Sequence, residues 1–271
     1  MPTYDIHAVH QRILQLLVAF DKVCREHQLR YYLWAGTMLG SIRHKGFIPW
    51  DDDADIAMPR PDYEQLIAHA SEWLPEPLEF ICSETNEAYP GTFGKLCDTS
   101  TTIIERLHYH FVSGIYVDVF PIDGVPANPI LRRWQFMRYE FYKRVLYLTH
   151  RDPFKHGHGP SSYLPRLCRR LFTVRSVTQS IRGILTRYDY DRCRFVADYD
   201  DGLRGTMPKQ TIGAPTPCSF EGCELMGVEQ ADRYLTHKYG DYMVIPPQSE
   251  QRQHGFQYVD LEHSYKDYAE K

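Results

Sequence analysis

Asp51-Asp52-Asp53-Ala54-Asp55 puts four carboxylates into five positions, directly ahead of the apolar Ile56-Ala57-Met58. Like charges this close oppose one another's ionisation, so a chain that keeps them needs a cation or an aqueous edge to hold them. In an extended segment side chains alternate, which puts Asp53 and Asp55 on one face and Ala54 and Ile56 on the other. The stretch therefore predicts a strand with one acidic face and one packed into a buried layer. The plainer alternative is an acidic surface turn that solvates itself or caps a helix.

Upstream, Tyr31-Tyr-Leu-Trp34 reads as a strand running into a Gly36-Thr37 turn, with residues 38–43 as a short helix. Such a turn can offer backbone N–H groups to a phosphate. Facing a two-carboxylate metal site, it gives the arrangement expected where a metal bridges a nucleotide's phosphates. A third acid comes from residues 114–120, where Ile115, Val117 and Val119 alternate with Tyr116, Asp118 and Phe120. Asp118 either joins Asp53 and Asp55 in one metal cluster or is an ordinary solvent-facing aspartate. Pro121-Ile-Asp-Gly124 reads as the turn ending that strand, with Asp123 bonding local backbone or acting in the site. Lys95, in the extended segment 92–97, is a candidate ligand for a donor phosphate.

The net charge of −4 hides a partition. Residues 51–130 carry 15 acidic and 3 basic side chains, whereas residues 131–194 carry 15 basic and 4 acidic. The first region would hold cations; the second would meet anions, an anionic surface or only solvent. Seven cysteines, with no C-x-x-C pair and only Cys218 and Cys223 close together, read as buried thiols rather than zinc ligands. No run approaches the ~20 apolar residues that cross a bilayer, and the N-terminus lacks a signal peptide's apolar core. The expectation is a cytoplasmic enzyme, with the inner face of the plasma membrane as the anionic surface in reach.

Apolar residues at helical period predict a helix over 6–26, with His7 and His10 on its wetter side. Pro61 starts a second helix that ends near Leu74, before Pro75 and Pro77. Further helices are expected over 129–149, 164–188 and 229–239, the last stopped by Gly240. Short strands are expected at 78–82, 101–106 and within 207–226. The stretch 151–162, with His156 and His158, reads as a mobile loop, and the tail shows no clear pattern.

Gly36-Thr-Met-Leu-Gly40, Arg43-His-Lys-Gly-Phe-Ile-Pro-Trp-Asp-Asp-Asp-Ala-Asp-Ile56, Met58-Pro-Arg-Pro-Asp-Tyr63 and Gly114-Ile-Tyr-Val-Asp-Val-Phe-Pro-Ile-Asp-Gly124 resemble the signature of the LicD family. Phe220-Glu-Gly222, Tyr239-Gly-Asp-Tyr-Met243 and Pro246-Pro247 extend the resemblance over nearly the whole chain. These are bacterial phosphocholine transferases, related to the fukutin-type ribitol-phosphate transferases and placed among the nucleotidyltransferase folds. The resemblance implies an α+β fold, a nucleotidyltransferase-like mixed sheet core flanked by helices, with a basic helical insertion. The division expected is a catalytic core over 1–128, a basic helical region over 129–200, and a segment 201–271 packing back on the core.

The resemblance further implies CDP-choline as donor, a hydroxyl of a cell-surface glycan or its lipid-linked precursor as acceptor, CMP as product, and Mg2+, or Mn2+, as cofactor. Nucleic acid is not an expected partner. Carried onto this chain, Gly36 and Thr37 would be the glycine turn, Asp53 and Asp55 the paired metal ligands, and Asp118 the third carboxylate. The interval between turn and acidic pair is longer here than in the commonest pattern, so Arg43 and Lys45 join the backbone as donor-phosphate candidates. Trp50 or Tyr116 would either face the choline cation or serve only in the core or its rim. Three other readings stay open: transfer of ribitol or glycerol phosphate, an Asp-x-Asp metal-dependent glycosyltransferase, and a non-enzymatic module binding anionic surfaces.

Overall fold

In a computed structural model, residues 4–105, 111–154, 158–251, 253 and 255–268 are described. Helix α1 (Ile6–Glu26) opens the chain, capped by Asp5, whose carboxylate accepts from His7 N–H at 2.9 Å. Its apolar face, from Val9 and Ile13 to Phe20 and Cys24, is buried. Each such side chain stabilises the fold by roughly 1.5–3 kcal/mol.

There follow β1 (Tyr32–Leu33), α2 (Ala35–Arg43), β2 (Asp55–Pro59), α3 (Arg60–Trp73), β3 (Leu78–Ile81), β4 (Gly94–Asp98), β5 (Thr102–Ile104) and β6 (Tyr116–Val125). The second half holds α4 (Pro129–His150), α5 (Tyr163–Leu171), α6 (Val174–Leu185), β7 (Phe195–Ala197), β8 (Thr206–Pro208), α7 (Lys209–Ile212), the hairpin of β9 (Thr216–Phe220) and β10 (Cys223–Gly227), α8 (Ala231–Tyr239) and β11 (Tyr258–Asp260).

The fold is α+β: a mixed sheet flanked by helices. Its strands run β1-β2-β6-β4-β3, and β7 and β8 extend it from the far half of β6. Only the β2–β6 pair is parallel among these; the others are antiparallel. The parallel pair is possible because α3 and the strands after it supply the long crossover it needs. One apolar cluster packs α1 and α3 on this sheet and recruits Phe220, Leu225, Tyr234 and Phe256 from the last third of the chain. A second lies between α4, α6 and the β7 end, around Phe136, Tyr139, Val177 and Ile184.

Away from the acidic segment, the structure departs from the sequence expectations at several elements. The helix expected over 164–188 breaks into α5 and α6, because Thr173 and Ser176 form a capping box that starts a new helix. Residues 121–124 are not a turn: β6 runs on to Val125, and Asp123 pairs with Ala197 in the ladder. Asp123 bonds neither local backbone nor the acidic site; both its oxygens accept from the Arg60 guanidinium at 2.7 Å in a buried pair. The tail is not patternless, since β11 pairs with β5. Finally, His10 is not on a wet face: it stacks on Phe47 with centroids 4.1 Å apart.

Cys24, Cys82, Cys97 and Cys168 are buried free thiols, and Cys193, Cys218 and Cys223 are half-buried. His158 stacks on Phe154; Lys155, His156, Arg252 and His254 lie outside the described residues. No helix among the described residues is long and apolar enough to cross a membrane.

Candidate active site

Parallel pairing sets Asp55 of β2 directly beside Asp118 of β6. Ala54 and Ile56, at 0 % exposure, anchor the opposite face of the strand. Asp53 lies one pleat earlier on the face of Asp55. Carboxylate oxygens of Asp53, Asp55 and Asp118 lie within 4.8 Å of one another.

Backbone bonds fix this arrangement. Asp118 N–H donates to the Ala54 carbonyl at 2.9 Å, and Trp34 N–H to the Asp55 carbonyl at 2.9 Å. Asp55 N–H donates to the Thr37 hydroxyl at 2.7 Å.

Gly36 and Thr37 are not a turn ahead of a helix, as the sequence reading had it; they lie in the first turn of α2. Both nevertheless reach the acidic segment. A Cβ on Gly36 would stand 2.9 Å from Asp51 Oδ2, so this position lets that carboxylate approach the backbone. Ala35, just before, is held at φ +42°, a strained left-handed conformation for a non-glycine residue. Trp34, the cap residue, supplies no side-chain bond to the helix start. Asp52 turns away: fully buried, it accepts from the Tyr4 hydroxyl and from Gly255 N–H at 3.2 Å.

On its other side Asp118 is in register with Lys95 of β4. The buried Lys95 Nζ lies 3.1 Å from Asp118 Oδ1, 3.1 Å from Glu105 Oε2 and 3.0 Å above the Tyr116 ring. Glu105 in turn accepts from the Tyr116 hydroxyl at 2.5 Å. The sequence brings Lys95 forward as a phosphate ligand, but its ammonium is held between two carboxylates. Burial pulls its pKa down, and Asp118 and Glu105 more than reverse that.

Arg43 and Lys45 are not gathered with the carboxylates. Arg43 ends α2, roughly 10 Å along the axis from Gly36, and donates to the carbonyls of Tyr242 and Val244 at 2.9 and 3.3 Å. Lys45 is exposed in the following turn at φ +64°, its carbonyl accepting from Glu221 N–H.

Apart from the Lys95 ammonium, the electrostatics are dominated by burial and like charge. Burial lifts the Asp118 carboxyl to about 7, with Glu105 and Asp53 adding to the rise and Lys95 opposing it. Asp55 is pushed well above the usual carboxylate range, by burial first and then by Asp53, Asp118 and Asp51. Asp118 Oδ1 is buried against the Lys95 ammonium. Three converging carboxylates are a donor set for a hard divalent cation.

The site opens into a cleft of about 410 Å³ lined by Asp53, Asp118, Lys95 and Glu105 and by Tyr89, Phe111, Tyr116 and Tyr147. Trp50 is not among its walls; it packs edge-on to His44 at 6.0 Å. Sequence reasoning missed the far wall, where Asp200 accepts from Thr92 and Tyr139 hydroxyls at 3.0 Å and from Lys143. Next to it Asp198 accepts from Trp34 Nε1 at 3.0 Å, and Lys238 pairs with Asp201. The signal was Asp198-Tyr-Asp-Asp201, a second acidic run just beyond the basic stretch.

The chain matches the family model described as LicD/FKTN/FKRP, nucleotidyltransferase domain, over residues 28–177, which include all three clustered aspartates. It is 29 % identical over 260 residues to the lipopolysaccharide cholinephosphotransferase LicD of Haemophilus influenzae, covering 90 % of this chain and 93 % of that protein. An uncharacterised protein of Rickettsia typhi is 36 % identical over 132 residues, 48 % of this chain and 41 % of that protein. Another, of Rickettsia prowazekii, is 33 % identical over 118 residues, 43 % and 41 % respectively.

Proposed function

This chain belongs to the LicD/FKTN/FKRP nucleotidyltransferase-domain family, and from that premise we propose that it transfers phosphocholine from CDP-choline to a hydroxyl of a cell-surface glycan or its lipid-linked precursor, releasing CMP. The observation that carries the reading is the pairing of Asp55 with Asp118 across adjacent strands, with Asp53 alongside. The full-length similarity to a cholinephosphotransferase supports the choice of donor. So does the cleft, whose aromatic walls and Glu105 suit a quaternary ammonium ion. Ribitol or glycerol phosphate, being uncharged at the alcohol, would gain no cation–π attraction from those rings.

Asp53 and Asp55 fit a divalent cation, Mg2+ or Mn2+, by ligand type and by convergence, with the Asp118 carboxylate beside them. Such an ion, when bound, neutralises donor phosphate oxygens and makes the phosphorus more electrophilic. The acceptor hydroxyl attacks the phosphorus bearing choline. A new P–O bond forms as the P–O bond to CMP breaks, and CMP leaves with the bridging oxygen. Asp118, in register beside Asp55, takes the hydroxyl proton. Lys95 holds that carboxylate in place, and the aromatic walls keep competing water from the phosphorus.

A panel of CDP-choline, CDP-ribitol and CDP-glycerol with Mg2+ and a glycan acceptor, read as CMP release, tests the assignment. CDP-choline should be turned over fastest. Asp53→Ala and Asp55→Ala should each lose at least ~10³-fold in CMP release with the melting curve retained, and retained turnover in either variant overturns the site. Asp118→Asn should also lose turnover yet keep a Mg2+-dependent rise in Tm; losing both would make Asp118 a ligand rather than the base.

A further inference from the structure

Over its first three turns α4 is apolar on two opposite sides. Phe136 and Tyr139 face the second core, and Ile130, Trp134, Met137 and Phe141, spaced by four, three and four residues, form a stripe on the far side. The stripe is open: Ile130 is 77 % exposed and Trp134 59 %. An apolar helix face normally packs against something.

α5 repeats the pattern. Pro165 and Cys168 are buried, whereas Leu164, Leu167 and Leu171 face outward, Leu171 at 64 % exposure. The two stripes meet where Phe172, directly after α5, places its ring 6.5 Å from that of Phe141.

Charge identifies what covers this surface. Arg133 and Arg144 flank the α4 stripe, Arg166 and Arg170 flank that of α5, and all four are exposed. None makes an ion pair among the described residues. They belong to a stretch of 15 basic and 4 acidic residues within a chain of net charge −4. A two-fold contact with a second copy of the chain would set these arginines against their own counterparts, whereas an anionic lipid headgroup layer meets both features at once. Leu and Trp side chains insert at the headgroup boundary and arginines pair with lipid phosphates, the arrangement of helices that lie in a membrane surface.

We infer that the exposed faces of α4 and α5 form a docking surface for an anionic phospholipid bilayer, on which the protein lies without spanning it.

Flotation of the full chain with vesicles tests this. The protein should float with phosphatidylcholine vesicles containing roughly one-third phosphatidylglycerol, far less with phosphatidylcholine alone, and progressively less as salt is raised. A Trp134→Asp/Leu167→Asp variant should lose roughly tenfold or more in partition, and so should Arg166→Glu/Arg170→Glu, which leaves the apolar stripes intact. Unchanged melting and unchanged CMP release toward a water-soluble acceptor would show both variants to be folded. Equal flotation on neutral and anionic vesicles, or none on either, overturns the inference. So does a dimer in sedimentation equilibrium that the Trp134→Asp/Leu167→Asp variant abolishes, which would assign the surface to a second copy.

Discussion

Asp118 stands between neighbours of opposite charge, Asp55 on one adjoining strand and Lys95 on the other. Burial first, with Glu105 and Asp53 adding to it, lifts its carboxyl to about 7 against the pull of Lys95. Asp198 is a second such case. Burial lifts it to about 7, Asp200 and Asp201 add to the rise, and Lys238 and the Trp34 hydrogen bond oppose it. Because its folded pKa lies above the ordinary carboxylate value, the native state keeps a proton that the unfolded chain releases. Its contribution to stability is therefore complete below about pH 4 and is lost as pH rises to about 7. In urea melts across that range the wild type should lose stability relative to Asp198→Asn as pH rises from about 4 to about 7, after which the difference levels off. A difference that stays flat would contradict the assignment. The acid itself was visible in the sequence; its shifted ionisation was not, since the burial that causes it comes from residues far along the chain.

At the level of elements, the start of α2 holds the strand that carries the acids. The sequence pointed to Gly36 and Thr37 as a phosphate turn, but the observed bond runs from Asp55 N–H to the Thr37 hydroxyl. Thr37→Val keeps the side chain's shape and leaves that N–H without its acceptor, at a cost of about 1–3 kcal/mol. Denaturant unfolding should report that loss, and Thr37→Ser should restore it. CMP release should fall with Thr37→Val, because Asp55 is no longer fixed beside Asp118. Local rules read the breakers well: Pro61, Pro129 and Gly240 begin or end helices where expected. They failed at residues 121–124, where Pro and Gly suggested a turn. The buried Arg60–Asp123 pair and the ladder to β7 hold that segment extended instead.

Across the whole molecule, the acidic segment is also where distant parts of the chain meet. Asp52, fully buried, accepts from Tyr4 near the start of the chain and from Gly255 near its end. Asp52→Ala removes both bonds, should destabilise the fold by about 1–3 kcal/mol, and should speed hydrogen exchange in β11 and its partner β5. Unaltered exchange there would show that the tail is held by other contacts. The second apolar cluster, under α4 and α6, bears on a different end of the sheet from the acidic site. The surface proposed to meet lipid is thus built on an element that also frames the cleft, through Lys143 and Tyr147.

Strand alternation, helix period, caps and the charge partition are local properties, and the sequence by itself determined them: Asp53 and Asp55 on one face, Asp118 opposite a buried one, α1 to the residue. Which strands become neighbours, and in what register, depends on pairing between segments some sixty residues apart in a chain. Only the tertiary structure could decide that Asp118 lies beside Asp55, that Lys95 is neutralised by two carboxylates, and that Arg43 turns to the carbonyls of Tyr242 and Val244. Side-chain charge is written in the chain, but its counter-ion is chosen by the fold.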